Sequence, residues 1–287
     1  MSPGEVPARR AWRDVDGLLL LDKPVGLTSN AALQTVRRLY GARKAGHTGS
    51  LDPLASGMLP VCFGEATKFA GYLLDADKTY RVQARLGIRT ATGDAEGEPV
   101  ATREGVMVTP AGLVTAMAGL TGAIEQVPPM YSALKHQGER LYALARAGLE
   151  VPRAPRQVWI REFVLESFDP VTPVFRVRCS KGTYIRTLIE DLAERLGTLG
   201  HVILLRRLSV APYEGEPMVT LADLKSLAEA PASGPPGGLL AHLRPLEAVL
   251  PHWPRLVLGE ALAHRAAHGG DVPGPPGQAP GPVSLFG

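Results

Sequence analysis

The chain has 287 residues, 45% of them hydrophobic and 21% charged, which supplies a sizeable core and excludes disorder throughout. No run approaches the ~18 consecutive apolar residues of a membrane span, and the charged start MSPGEVPARRAWRDVDG lacks a signal peptide's apolar stretch, so a cytoplasmic protein is expected. Net charge is only +3 but unevenly spread: residues 1–48, 127–161 and 176–210 each net +4, whereas 91–104 holds four acids against one Arg. The three basic segments are either solvated surfaces or one anion-binding face assembled by folding.

Gly17 to Leu21 reads as the first strand. Asp22, Lys23 and Pro24 then turn towards Thr28 or Ser29 as helix cap, and Leu33, Val36 and Tyr40 form a helical stripe closed by Gly41. From Arg43 to Gly57, RKAGHTGSLDPLASG has neither helical nor strand period and reads as one long loop. Compact domains seldom keep such loops without a function. Lys78 to Leu86 alternates, with Tyr80, Val82, Ala84 and Leu86 on one face, as a half-buried strand does.

Thr109 and Pro110 open a helix through Leu113 and Met117, and Gly138 to Arg146 reads as another. Val158 to Leu165 and Val174 to Cys179 are strand candidates. Thr183 is expected to cap a helix carrying Ile185, Leu188, Ile189 and Leu192, with Gly197 beyond its end. His201 to Val210 returns as a strand and Thr220 begins a short helix. Strands and helices in this irregular order predict an α+β fold with a mixed, mainly antiparallel central sheet. APASGPPGG, Ala230 to Gly238, is a linker by composition, and the end from Gly274 to Pro282, GPPGQAPGP, cannot pack a core.

Most signatures of chemistry are absent. There is no phosphate-binding G-x-x-x-x-G-K-[ST], no dinucleotide fingerprint and no H-E-x-x-H. His264 and His268 share a helix face without a third ligand, and Cys62 and Cys179 stand alone in apolar stretches, as buried reduced thiols do. No cofactor and no metal are therefore expected. The loop with His47, Thr48, Ser50 and Asp52 remains. An Asp before Pro is by itself a common turn device, but the length, glycines and basic approach of this loop favour a presented carboxylate.

GLLLLDKPVGLTSNAAL, AGHTGSLDPLASGMLPVCFGEATKF, DKTYRVQARLG, MYSALKHQGERLYALAR, CSKGTYIRTLIEDLAERLG and HVILLRRLSV resemble, in that order, the successive motifs of bacterial tRNA uridine-55 pseudouridine synthases, the TruB family. The resemblance runs from about Gly17 to about Leu227. It implies a catalytic domain over 1–229, a linker region over 230–249, and a partial, PUA-like RNA-binding domain with a Pro/Gly-rich tail over 250–287.

It further implies that Asp52 is the essential carboxylate, that Tyr80 stacks on the target uracil, and that Arg186 pairs with Asp52. Tyr184 and Leu205 match other substrate-pocket positions, and His47 the residue that fills RNA-loop space left by the departing base. Lys23 and Pro24 match a motif supporting the site's floor, and Arg206 and Arg207 join the basic residues expected to hold RNA. The implied partner is tRNA through its T-arm stem-loop, with no protein partner and a monomeric chain. Two competing readings are an RNA-folding chaperone at the tRNA elbow, which needs no chemistry, and a nucleoside or glycoside hydrolase, which would release free uracil.

Overall fold

A computed structural model describes residues 12–105, 107–229, 238–250, 253–274 and 283–286. In chain order the elements are β1 (Gly17–Lys23), α1 (Ser29–Tyr40), β2 (Ala45–His47), β3 (Ala55–Phe63), a 3-10 helix (Gly64–Phe69), α2 (Ala70–Asp75), β4 (Lys78–Leu86), β5 (Ile88–Thr90) and β6 (Pro99–Thr102). Then come α3 (Pro110–Ala118), β7 (Gly122–Gln126), β8 (Lys135–His136), β9 (Glu139–Arg140), α4 (Leu141–Arg146), β10 (Arg156–Ser167) and β11 (Val174–Cys179). The remainder are α5 (Ile185–Arg195), β12 (Gly200–Val210), β13 (Val219–Thr220), α6 (Leu221–Glu229), β14 (Arg255–Val257), α7 (Glu260–Ala267) and β15 (Ser284–Phe286), with short 3-10 turns at Gly238–His242 and Leu246–Val249.

Nine strands form the main sheet in the order β13-β1-β3-β12-β4-β11-β10-β7, with β2 added to β3. Only β1/β13 and β3/β12 pair in parallel; every other pair in this sheet is antiparallel. The expected α+β architecture with a mixed, mainly antiparallel sheet is what the chain adopts.

Burial explains which strands could be read from periodicity. On β1, Leu19 and Leu21 pack with α1 and α6, while Leu18 and Leu20 pack on the opposite face with Met58, Cys62 and Val249. A strand covered on both faces is an unbroken apolar run, as GLLLL is. Only one face of β4 joins the core formed with α3 and α5, hence its clean alternation.

Three expectations need correction. The segment 43–57 is not one loop, because β2 and the start of β3 lie within it and leave 48–54 irregular. β2 is a three-residue edge strand, too short for a period, and pairs Ala45–His47 against Phe63–Val61. The helix at 138–146 is confined to Leu141–Arg146. The residues before it form a β8/β9 hairpin whose turn places Gln137 and Gly138 at φ 49° and 92°, the paired positive angles of a tight two-residue turn. Thr183 does not cap α5: its hydroxyl donates back to Ser180 O, and Tyr184 holds the cap position.

The segment 238–250 packs onto the sheet domain. Leu18 and Arg244 exchange backbone hydrogen bonds at 2.9 and 2.8 Å, Tyr40 donates its phenol to Leu239 O, and Val249 and Leu250 are buried. Residues 230–237 of the expected linker and 275–282 of the Pro/Gly-rich tail lie outside the described residues. No helix among the described residues is long and apolar enough to cross a membrane.

Candidate active site

The carboxylate of Asp52 is presented where the β3 edge divides. One edge of β3 pairs along its length with β1; the other takes β12 at 55–57 and β2 at 61–63. Residues 48–54 leave through the gap. Ser29, at the start of α1, pins the loop by accepting Leu51 N–H at 2.7 Å and donating to Leu51 O at 3.1 Å. Pro53 O accepts from Gly26 N–H, and Asp52 O from Ala55 N–H.

From beneath, buried Arg207 on β12 donates to Met58 O at 2.6 Å and to Gly49 O at 3.1 Å. Its backbone runs so close to β3 that a Cβ at Gly57, where φ is 100°, would lie 2.1 Å from Arg207 O. Only glycine fits there.

Asp52 Oδ2 lies 3.0 Å from Arg186 Nε. Arg186 stands in the first turn of α5 with its side chain 5% exposed, whereas 41% of the Asp52 side chain is open. Each of its nitrogens is engaged: Nη1 donates to Thr92 O at 2.6 Å, Nη2 to Tyr131 O at 2.7 Å, and Nε also lies 3.6 Å from Asp94 Oδ2. A fixed cation is thereby aimed at one oxygen of an accessible carboxylate. Partial burial raises the Asp52 pKa above its ordinary value; Arg186 opposes that rise and Asp94 adds to it.

The carboxylate opens into a cleft of about 310 Å³ whose walls include Tyr80, Ser132, Tyr184, Ile185, Arg186, Leu205 and Arg207. Tyr80 comes from β4, directly opposite Arg207 on β12. Tyr184 is held by Gln126, which accepts its N–H at 3.0 Å and donates to its carbonyl at 3.3 Å. That amide anchors Tyr184 just before α5, whose first turn receives no side-chain cap.

Asp52, Tyr80, Arg186, Tyr184, Leu205 and Arg207 are thus brought together in one cleft. His47, Lys23 and Arg206 do not line it. His47 lies on β2, its Nδ1 buried without a partner, and burial with Arg207 nearby lowers its pKa. Lys23 is fully buried, donates to Pro24 O and Leu27 O at 2.8 and 2.6 Å, and is lowered by burial to about 8. Arg206 forms a bidentate pair with Asp22 at 2.9 and 2.7 Å.

The basic segment 176–210 is largely paired within the chain, with Arg176, Arg178 and Lys181 at the surface. Arg176, Arg178, Lys181, Arg186 and Arg206 are ion-paired, and Arg207 is spent on carbonyls.

Sequence reasoning missed Asp94, Gln126, Ser132 and Lys78. Asp94 lies in the acidic stretch set aside by charge counting, yet it is buried and its Oδ1 accepts from Thr92 Oγ1 and Glu96 N–H. Lys78 borders the cleft and donates to the carbonyls of Leu73, Leu74 and Ala76 at the end of α2. Among the described residues no group of three or more His, Cys, Asp or Glu side chains is placed to hold a metal ion.

Residues 37–185 match the model of the TruB family pseudouridylate synthase N-terminal domain, and residues 186–251 that of the tRNA pseudouridylate synthase B C-terminal domain. The chain belongs to the TruB family. It is 50% identical over 261 residues to tRNA pseudouridine synthase B of Chromohalobacter salexigens, covering 91% of this chain and 83% of that one. To the protein of the same name from Nitrosococcus oceani it is 49% identical over 274 residues, covering 96% and 88%.

Among solved structures, a Cbf5-Nop10-Gar1 complex contains a chain of TM-score 0.70 and 27% identity, covering 92% of this chain and 69% of that one. The boundary between the two TruB models, at 185/186, falls between the cap of α5 and Arg186. It divides a family signature, not the fold, because β12 of the second part pairs with β3 and β4 of the first.

Proposed function

We propose that this TruB-family chain isomerises uridine 55 of tRNA to pseudouridine, recognising the T-arm stem-loop and working as a cytoplasmic monomer. The observation that carries the reading is the partly open Asp52 carboxylate, 3.0 Å from buried Arg186, in a cleft walled by Tyr80.

The reaction breaks the bond from N1 of uracil to C1′ of ribose, turns the base, and joins C5 to C1′. It is an isomerisation, so no oxidant and no net water is consumed. A base in a folded RNA loop must first be extruded. Tyr80 then offers a flat surface for its face, with Leu205 and Tyr184 closing the sides. Glycosidases usually need a second carboxyl group to protonate an alkoxide, whereas uracil leaves as a resonance-stabilised anion, so one carboxylate suffices. Asp52, ionised and oriented by Arg186, acts on the ribose by attack at C1′ or proton abstraction at C2′.

His47 fills the space the base leaves in the RNA loop. Lys23, Arg206 and Arg207 act from behind, holding the strands and the loop that carry Asp52. Residues 250–287 serve as a small PUA-like module that adds grip on tRNA.

The test is single-turnover conversion of a tRNA transcript with product analysis. The parent should form pseudouridine at position 55. Asp52→Asn should form none while binding tRNA within a few fold, because the change removes charge and barely alters shape. Free uracil among the products would make the protein a hydrolase, and full activity in a verified Asp52→Asn sample would assign the chemistry to another group.

A further inference from the structure

Five buried side-chain polar atoms among the described residues have no hydrogen-bond partner: His47 Nδ1, Thr48 Oγ1, Ser132 Oγ, Arg153 Nε and Thr187 Oγ1. A buried hydroxyl without a partner has given up the bonds water would make, so its retention calls for a cause. Of the five, only Ser132 lies in the wall of the Asp52 cleft. Its residue is 5% exposed.

Ser132 is fixed in place by its backbone. Its N–H donates to Met130 O at 2.9 Å, and its carbonyl accepts from Tyr142 N–H at 3.1 Å. The residue before it gives its carbonyl to Arg186 Nη2, so one arginine ties this segment and Asp52 together. The Ser132 hydroxyl also lies near the Tyr184 phenol, where it counteracts the rise that burial imposes on the phenol's pKa. The two make no bond of ordinary length, so the hydroxyl can turn to a group that enters the cleft.

Resting on the isomerase reading above, we propose that the Ser132 hydroxyl hydrogen-bonds a polar edge of the extruded uracil and holds the base in the cleft while it turns between its two glycosidic bonds. Stacking on Tyr80 tolerates rotation in the plane of the ring and so does not set the angle of a detached base. Hydrogen bonds to the ring edge do. Uracil presents two carbonyl oxygens flanking an N–H, and a hydroxyl both donates and accepts, so it can serve either kind of group as the ring turns. Ser132 forms no covalent bond.

The experiment compares the full chain with Ser132→Ala and Ser132→Thr on a saturating tRNA transcript, following the single-turnover rate, tRNA affinity and thermal unfolding. Ser132→Ala is expected to slow conversion by about tenfold or more, with affinity within about threefold and an unchanged unfolding midpoint. Ser132→Thr, which keeps the hydroxyl, should recover most of the rate. A purely structural role would move the midpoint and affinity with the rate. Conversion by Ser132→Ala within twofold of the parent overturns the proposal, as does a loss that Ser132→Thr shares in full. If Ser132→Ala does not fold, Ser132→Cys decides, with parent-like conversion as the overturning result. A parent that forms no pseudouridine defeats the isomerase reading itself; an active parent matched by Ser132→Ala defeats only the role of Ser132.

Discussion

Asp52 carries a charge that its surroundings partly resist. Its pKa is raised by burial and by Asp94 against the pull of Arg186, so the carboxylate takes up its proton at a higher pH than a free Asp. Activity that needs the ionised form therefore falls as pH drops through that raised value. In Asp94→Asn, Oδ1 remains available to Thr92 Oγ1 and Glu96 N–H, while the like charge is removed. The acid limb of the single-turnover pH profile should move to lower pH; a shift upwards would show that Asp94 acts on the rate by another route. The same linkage bears on stability: a carboxyl with a raised folded pKa favours the folded state below that pKa and loses the advantage as pH rises through it. Asp52→Asn should then unfold at pH 7 no lower than the parent, measured by thermal denaturation.

At the scale of elements, the position of the Asp52 loop depends on the close approach of β3 and β12. Gly57 holds φ at 100°, and any Cβ there meets the Arg207 backbone at 2.1 Å. The strands cannot move apart without releasing Arg207 from Met58 O and Gly49 O. Gly57→Ala is expected to cost about 3 kcal/mol through strain and overpacking, read as a lowered unfolding midpoint. Conversion should slow even where the variant remains folded, because Arg207 also supports the loop. A variant with the parent's midpoint would mean that the two strands separate freely.

For the whole molecule, composition and packing divide the chain at different places. The Pro/Gly-rich stretch from Ala230 invites a cut after Glu229, yet Arg244 pairs with Leu18, Tyr213 donates to Ala248 O, and Val249 fills the core face of β1. Trp253 stands edge-on to Tyr72 at 5.0 Å and to Phe69 at 6.5 Å. A chain ending at Pro254 should keep the parent's unfolding midpoint and convert an isolated T-arm stem-loop, while losing about 1 to 2 kcal/mol of binding to full-length tRNA. A chain ending at Glu229 should unfold at a clearly lower temperature, as core residues are removed. Equal midpoints for the two truncations would return the boundary to Glu229.

Sequence alone determined the elements whose pattern is local. The α1 stripe closed by Gly41, the alternation of β4 and the apolar face of α5 are local patterns, which the chain carries within itself, whereas the choice of Thr28 over Ser29 as the α1 cap is the structure's. The ordered motifs likewise pointed to Asp52, Tyr80 and Arg186. Tertiary structure decided what depends on partners distant in the chain. β2 exists because Phe63 to Val61 offer it an edge, and Tyr184, just before α5, is held by Gln126, far away in sequence. Asp94 belongs to the site, and Arg206 to Asp22. Hydrogen bonds and ion pairs act across a few ångströms of space, and no spacing in the sequence records which residues folding will bring within that reach.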